Sequence, residues 1–184
     1  MRGGQRAAAI LVAVTLLVAC GSSEHPTPGG PSFESDEVRF TAPTGWEMRR
    51  STEISVRGAR RFLYLANQPL DDDCSTTGSD ILCHPPIDGG LRSGGILVTW
   101  VIHLCVAEGC DLPTGPLIAI GNRQGVLAPM DAGCEELEFT ERSAHYVSVT
   151  PQRVDILITC ARDPSDATRL AFLGFLDAIH WRIP

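Results

Sequence analysis

The chain has 184 residues, with 15 arginines, no lysine and 22 acids, for a formal net charge of −7, and 43% of its residues are hydrophobic. That apolar share is ordinary for a globular protein and excludes a wholly disordered or fibrous chain. The acidic balance, with its arginines scattered, provides neither the basic face that nucleic acid needs nor an electrostatic grip on anionic lipid head groups.

Arg2 and Arg6 make the start of the chain basic. The thirteen residues Ala7 to Ala19 that follow are apolar except for Thr15. A helix of that length spans about 20 Å, against a bilayer core of about 30 Å. The segment is too short for a permanent span and has the build of a secretory signal. It ends on Leu17-Val18-Ala19-Cys20. All four positions resemble the lipobox of bacterial lipoprotein precursors. The resemblance implies a diacylglyceryl group on the Cys20 thiol, removal of residues 1–19 as a signal peptide, and a mature chain beginning at Cys20. An ordinary secreted protein with a cysteine at its cleavage site and an uncleaved signal anchor are the competing expectations. Acyl chains contribute about 0.8 kcal/mol per buried CH₂, so two or three of them hold a domain on a membrane where one does not. The expected location is the extracytoplasmic side of a bacterial cell membrane, with the membrane as partner through palmitate-like chains alone.

Residues 20–34 are rich in Gly, Ser and Pro and read as a flexible tether. Residues 35–184 suffice for a single globular domain with a real core. Val38 to Ala42 alternates like a half-buried strand and stops at Pro43-Thr44-Gly45. Trp46 to Arg49 and Arg61 to Ala66 continue as strands. The arginines of this region, Arg49, Arg50, Arg57, Arg60 and Arg61, read as a solvated strand face. Pro69 to Asp80 and His84 to Gly90 read as loops. Gly95 to Val106 is the longest apolar run of the mature chain and rich in β-formers, so it is expected to be the central strand, buried on both faces. Leu117 to Arg123 is a short strand with a turn, or a loop. Glu135 to Arg142 alternates as a strand. His145 to Thr150 and Arg153 to Cys160 form a hairpin across Pro151-Gln152, without the glycine that tight hairpins prefer. The closing helix is capped by Asp163, with Pro164 at its first position and Asp166 in its first turn. It turns Phe172, Phe175, Ile179, Ala171 and Ala178 to one face.

Six cysteines remain beside Cys20: Cys74, Cys83, Cys105, Cys110, Cys134 and Cys160. An even number outside the cytoplasm implies disulfides, and six cysteines allow fifteen pairings. Loop closure around a turn-forming glycine favours Cys74–Cys83 and Cys105–Cys110, which leaves Cys134–Cys160. Zinc is the rival, because His84 adjoins Cys83 and His103 lies near Cys105, yet the spacing fits no zinc pattern.

No catalytic signature stands out. His25, His84, His103, His145 and His180 lie far apart, and there is no nucleophile elbow, S-x-x-K or H-E-x-x-H motif. Asp71-Asp72-Asp73 lacks the spaced oxygens of a calcium loop, and Glu135, Glu136, Glu138 and Glu141 read as an exposed acidic edge. No cofactor, metal or catalytic residue is assigned. Val38 to Glu47, "VRFTAPTGWE", resembles the opening strand and Pro-x-Gly-Trp turn of PsbP-like domains. Phe172 to Trp181, "FLGFLDAIHW", resembles their closing helix and short strand. This resemblance implies an antiparallel sheet packed by helices, a role that is non-catalytic or unknown, and no functional residues.

The expected fold is α+β: an antiparallel sheet of about five to seven strands packed by a C-terminal helix and stabilised by disulfides. The expected function is that of a lipid-anchored binding or accessory lipoprotein, with a protein or small molecule as ligand and without catalysis. A cell-envelope hydrolase with an unrecognised site and a structural surface lipoprotein are the alternatives. Intact-mass measurement of the membrane fraction should find a chain starting at Cys20 that carries a diacylglyceryl group. A Cys20→Ser chain should keep its leader unprocessed; normal maturation with undiminished membrane retention would refute the anchor.

Overall fold

The computed structural model describes residues 29–52, 58–77, 80–105, 109–130, 133–134 and 136–183. The signal peptide, Cys20, most of the tether, His25, Arg57 and Glu135 lie outside these residues. The described chain folds as β1 (Ser32–Glu34), β2 (Val38–Thr41), β3 (Glu47–Arg50), β4 (Ala59–Ala66), β5 (Cys74–Thr77), β6 (Asp80–Cys83), β7 (Gly95–Leu104), β8 (Leu117–Ile120), β9 (Arg123–Ala128), β10 (Glu141–Thr150), β11 (Arg153–Arg162), α1 (Asp166–Ala178) and β12 (His180–Trp181). A seven-stranded sheet runs β3-β4-β7-β11-β10-β9-β8, a three-stranded sheet runs β1-β2-β12, and β5-β6 stands apart. Every pairing is antiparallel. The fold is therefore α+β, mostly antiparallel sheet with one C-terminal helix packed on it.

Period-two alternation gives the large sheet two apolar faces. On β7, Ile96, Val98 and Trp100 point to one side and Leu97 to the other, and all four are buried. The first face packs against Phe172, Phe175, Leu176 and Ile179 of α1 and its C-cap, and against Phe33, Val38, Phe40 and Trp181 of the small sheet. Trp100 is the hub: its ring lies 5.5 Å from Phe40 and 5.4 Å from Trp181. Among the described residues no helix covers the second face. Leu70, Ile87 and Leu91 cover it from one loop, and Cys134 and Leu137 from another.

Several boundaries differ from the sequence expectation. β7 is interior but third in order; the middle place belongs to β11, because the β10–β11 hairpin adds two further strands beyond it. Residues 32–34, placed in the tether, pair with β2 as an edge strand. The loop around Cys74 is a two-stranded hairpin in which Cys74 faces Cys83. Residues 136–140 are turns and bends, and the strand begins only at Glu141. The helix cap is Ser165, whose side chain accepts from the Thr168 backbone N–H, while Asp163 sits before it at φ 47°. β9 completes a hairpin with β8 through Gly121-Asn122. Gly121 takes φ 58° there, and a Cβ on it would lie 1.5 Å from the Ile179 carbonyl oxygen. Glycine alone fits this turn. Asn122 then clamps the backbone of Trp181, accepting from its N–H at 2.8 Å and donating to its carbonyl at 2.9 Å.

A charged cluster crosses the first face. Arg153 and Asp155, two residues apart on β11, share a side of the strand. Arg153 Nε and Nη2 donate to Asp155 at 2.6 and 3.0 Å, and the Trp100 indole N–H donates to Asp155 Oδ2 at 2.8 Å. Arg153 Nη1 reaches Glu37 at 2.7 Å, outside the large sheet. Asp155 is fully buried. Burial pushes its carboxyl upward against the pull of Arg153 and Trp100. Burial also opposes the Arg153 charge, but the hydrogen bonds to Asp155 and Glu37 hold that charge more firmly than in water.

Removing one member strands the other in a medium that solvates it poorly. Arg153→Met is expected to cost about 3–5 kcal/mol in urea unfolding, with most of that recovered by adding Asp155→Leu. A single variant within about 1 kcal/mol of the parent would show an idle pair of surface strength.

Candidate functional site

The uncovered part of the second sheet face forms a groove of about 370 Å³. Three strands build it in transverse rows. Tyr64, Thr99 and Ile158 are cross-strand neighbours, as are Arg61, Val101 and Ile156, and then Ala59 and His103. All of these residues line the groove, together with Arg60, Pro85, Met130 and Gly133. From Thr99 to His103 the floor runs about 13 Å along β7.

The position of Arg61 depends on a β-bulge. Arg61 pairs with Val101 and Leu63 with Trp100, so Phe62 is an extra residue in the ladder. Phe62 packs against the first face, edge-on to Phe33 and to Trp100. The extra residue resets the alternation, and Arg61 and Tyr64 reach the same face although three positions separate them.

The groove is lined by Arg60, Arg61 and His103, and by no carboxylate among the described residues. The acid Asp73 acts on Tyr64 through its charge. It is buried and engaged, accepting from Ser51 Oγ at 2.5 Å, Thr52 Oγ1 at 2.6 Å and the Thr52 backbone N–H at 3.1 Å. Burial works against its charge, but these donors hold its carboxyl below the ordinary range. Tyr64 is 1% exposed and its hydroxyl has no hydrogen-bond partner. Burial raises its ionisation above the ordinary phenol value, so it stays a neutral donor.

The cysteines pair as Cys74–Cys83, Cys105–Cys110 and Cys134–Cys160. Cys134–Cys160 fastens the loop carrying Gly133, a groove wall, to β11. With these thiols bonded, the histidines beside Cys83 and Cys105 have no thiolate to share a metal with. The described residues hold no cluster of three or more metal-ligating side chains. The remaining histidines are dispersed: His84 and His180 are exposed, and His145 is buried edge-on against Phe172 at 5.2 Å. The aspartates diverge. Asp71 accepts from the Asp88 backbone, Asp72 pairs with Arg49, and Asp73 points inward. Glu138 pairs with Arg162, and Glu141 with Arg169. The arginine group read as one solvated face is divided: Arg49 pairs with Asp72, Arg50 lies over Phe33, and Arg60 and Arg61 line the groove.

In a second depression of about 290 Å³ on β1 and β2, Ser32 bonds to Thr41 and Glu34 pairs with Arg182. No helix among the described residues is long and apolar enough to cross a membrane. Comparison with protein-family models, curated proteins and solved structures finds no match.

His145 leaves a measurable trace of its burial. Desolvation lowers its basicity in the folded protein, opposed by contact with the Leu157 carbonyl. Above about pH 6.5 it is neutral folded and unfolded. Below that the unfolded chain binds the proton first, so stability falls with pH until the folded imidazole also protonates. Denaturant titrations from pH 7 to 5 should therefore show the parent losing more stability than His145→Leu. Curves that stay parallel would refute this.

Proposed function

We propose that this protein is a lipid-anchored accessory lipoprotein on the extracytoplasmic side of a bacterial membrane, where it binds a small ligand in the sheet-face groove without transforming it. The carrying observation is the groove itself: an open, largely apolar trough of about 370 Å³ on a rigid sheet, at the small end of the range for ligand sites. The lipobox-like Leu17 to Cys20 supports the anchor. Three disulfides support an oxidising compartment. The described residues that line the groove include arginines, one histidine and a phenol but no serine and no cysteine thiol, which supports binding over hydrolysis.

The mature oxidised protein should bind the uncharged fluorophore N-phenyl-1-naphthylamine at one saturable site. Val101→Trp places an indole in the trough, where half-buried Val101 leaves room for it, and should abolish that binding with near-UV circular dichroism of a folded protein. Absent binding, or binding that Val101→Trp leaves intact, would overturn the assignment of the groove.

A further inference from the structure

We infer that β8 is a self-association edge, at which two copies of this chain pair β8 with β8 antiparallel about a two-fold axis at Ile118 and run their large sheets into one. This edge lies apart from the groove, none of whose lining residues belongs to β8.

The free backbone comes first. β8 ends the seven-stranded sheet. The Leu127 N–H bonds to the Pro116 carbonyl, and β8 sets Ile118 opposite Gly125 and Ile120 opposite Arg123. Polar backbone groups alternate in direction along a strand, so residues 116, 118 and 120 turn theirs to β9, and Leu117 and Ala119 turn theirs outward. These outward N–H and C=O groups have no partner among the described residues. The two ends of the sheet also differ in composition. β3, at the other end, carries Glu47, Arg49 and Arg50 in four residues, the kind of charge that keeps strands from pairing edge to edge. β8 reads Leu-Ile-Ala-Ile, without charge, proline or bulge. Leu117 is 65% exposed and Ala119 is exposed too. An unguarded apolar edge is a template for another strand.

Charge and symmetry identify that strand as a second β8. The chain carries a net charge of −7, so its copies repel over most of their surface; at β8 they can touch with no charge on either strand. The outward residues flank Ile118 symmetrically. A two-fold axis there sets Leu117 opposite the partner's Ala119, and Ala119 opposite the partner's Leu117, as hydrogen-bonded pairs that each exchange two N–H···O bonds. A large side chain thereby faces a small one on the second sheet face. On the first face, Ile118 already packs against the core and would meet the partner's Ile118. α1 packs against β8 on that face. Leu173, 55% exposed, lies one turn beyond Arg169, whose side chain reaches Glu141 of β10. Ala178, on the other flank of α1, faces β1 and β2. Leu173 therefore stands on the flank toward the β8 edge and adds apolar surface to the joint. The contact is isologous and closes at two copies.

The test is sedimentation velocity on the oxidised mature chain, residues 20–184, carrying Cys20→Ser so that this thiol cannot cross-link copies. The interface is short, so a reversible dimer should build up over roughly 1–100 μM, and amide exchange at Leu117 and Ala119 should slow as it does. Ala119→Pro deletes an outward N–H that its own sheet does not use. It should weaken the dimer at least tenfold, with urea unfolding close to the parent's at a concentration where both are monomers. Leu117→Lys sets a like charge on each copy at the joint and should weaken it by as much. Ile118→Cys brings two thiols together across the axis, with Cα atoms about 4.5 Å apart, and should form a covalent dimer in air; Gln124→Cys, one strand further from the axis, should not. A parent chain still monomeric at about 100 μM would overturn the dimer. A dimer that both Ala119→Pro and Leu117→Lys leave intact would overturn β8 as its seat. Should Ala119→Pro fail to fold, Leu117→Lys and the exchange of the two amides decide the matter.

Discussion

The structure turns on a mismatch in covering: a large sheet with two apolar faces and one helix to cover them. An antiparallel sheet can leave one face to water when that face is polar. Here Leu97, Tyr64, Ala66 and Ile158 make the second face apolar, and α1 with the small sheet is already spent on the first. Loops must do the remaining work. Irregular backbone loses much entropy on ordering and returns few contacts, and covalent cross-links shift that balance by restricting the unfolded chain. Two of the three disulfides stand in these covering segments. Where the loops stop, the groove begins.

The first face is built differently. Its aromatic cluster is continuous from Phe33 through Phe40 and Trp100 to Trp181, and offset or edge contacts of this kind add to what burial alone gives. Within it lies the cluster of Trp100, Asp155, Arg153 and Glu37. A buried ion pair is a poor source of net stability. Its contacts match the register: Asp155 meets Trp100 across the paired β11 and β7, and Arg153 reaches Glu37 beside the small sheet.

Most of the architecture was legible in the sequence because it follows from periodicity and turn chemistry. The α+β antiparallel fold, the apolar strand from Gly95, the hairpin at Pro151-Gln152 and the helix face of Phe172, Phe175 and Ile179 all come from apolar spacing. What was not legible depends on partners distant in sequence. Asp163 and Ser165 are both good caps by composition; the left-handed turn at Asp163 and the chain path from β11 decide for Ser165. Glu135 to Arg142 alternates as a strand would, but Leu137 packs with Cys134 onto the second sheet face, where a disulfide ties Cys134 to β11. The groove was hidden most deeply. Arg61 and Tyr64 sit three apart, so simple alternation places them on opposite faces, and only the extra residue at Phe62 unites them. No local signal in "RFLYLA" announces a bulge.

The meeting of β2 with β12 bears on how the chain reaches its native state. Residues 38 and 39 find their partners at 181 and 180, and Trp181, only 2% exposed, completes the aromatic cluster. Contacts so remote along the chain slow compaction, because loop closure precedes any return. Val38 and Phe40 cannot acquire their final cover until synthesis has passed residue 181. This part of the core therefore closes only after nearly the whole polypeptide has been made.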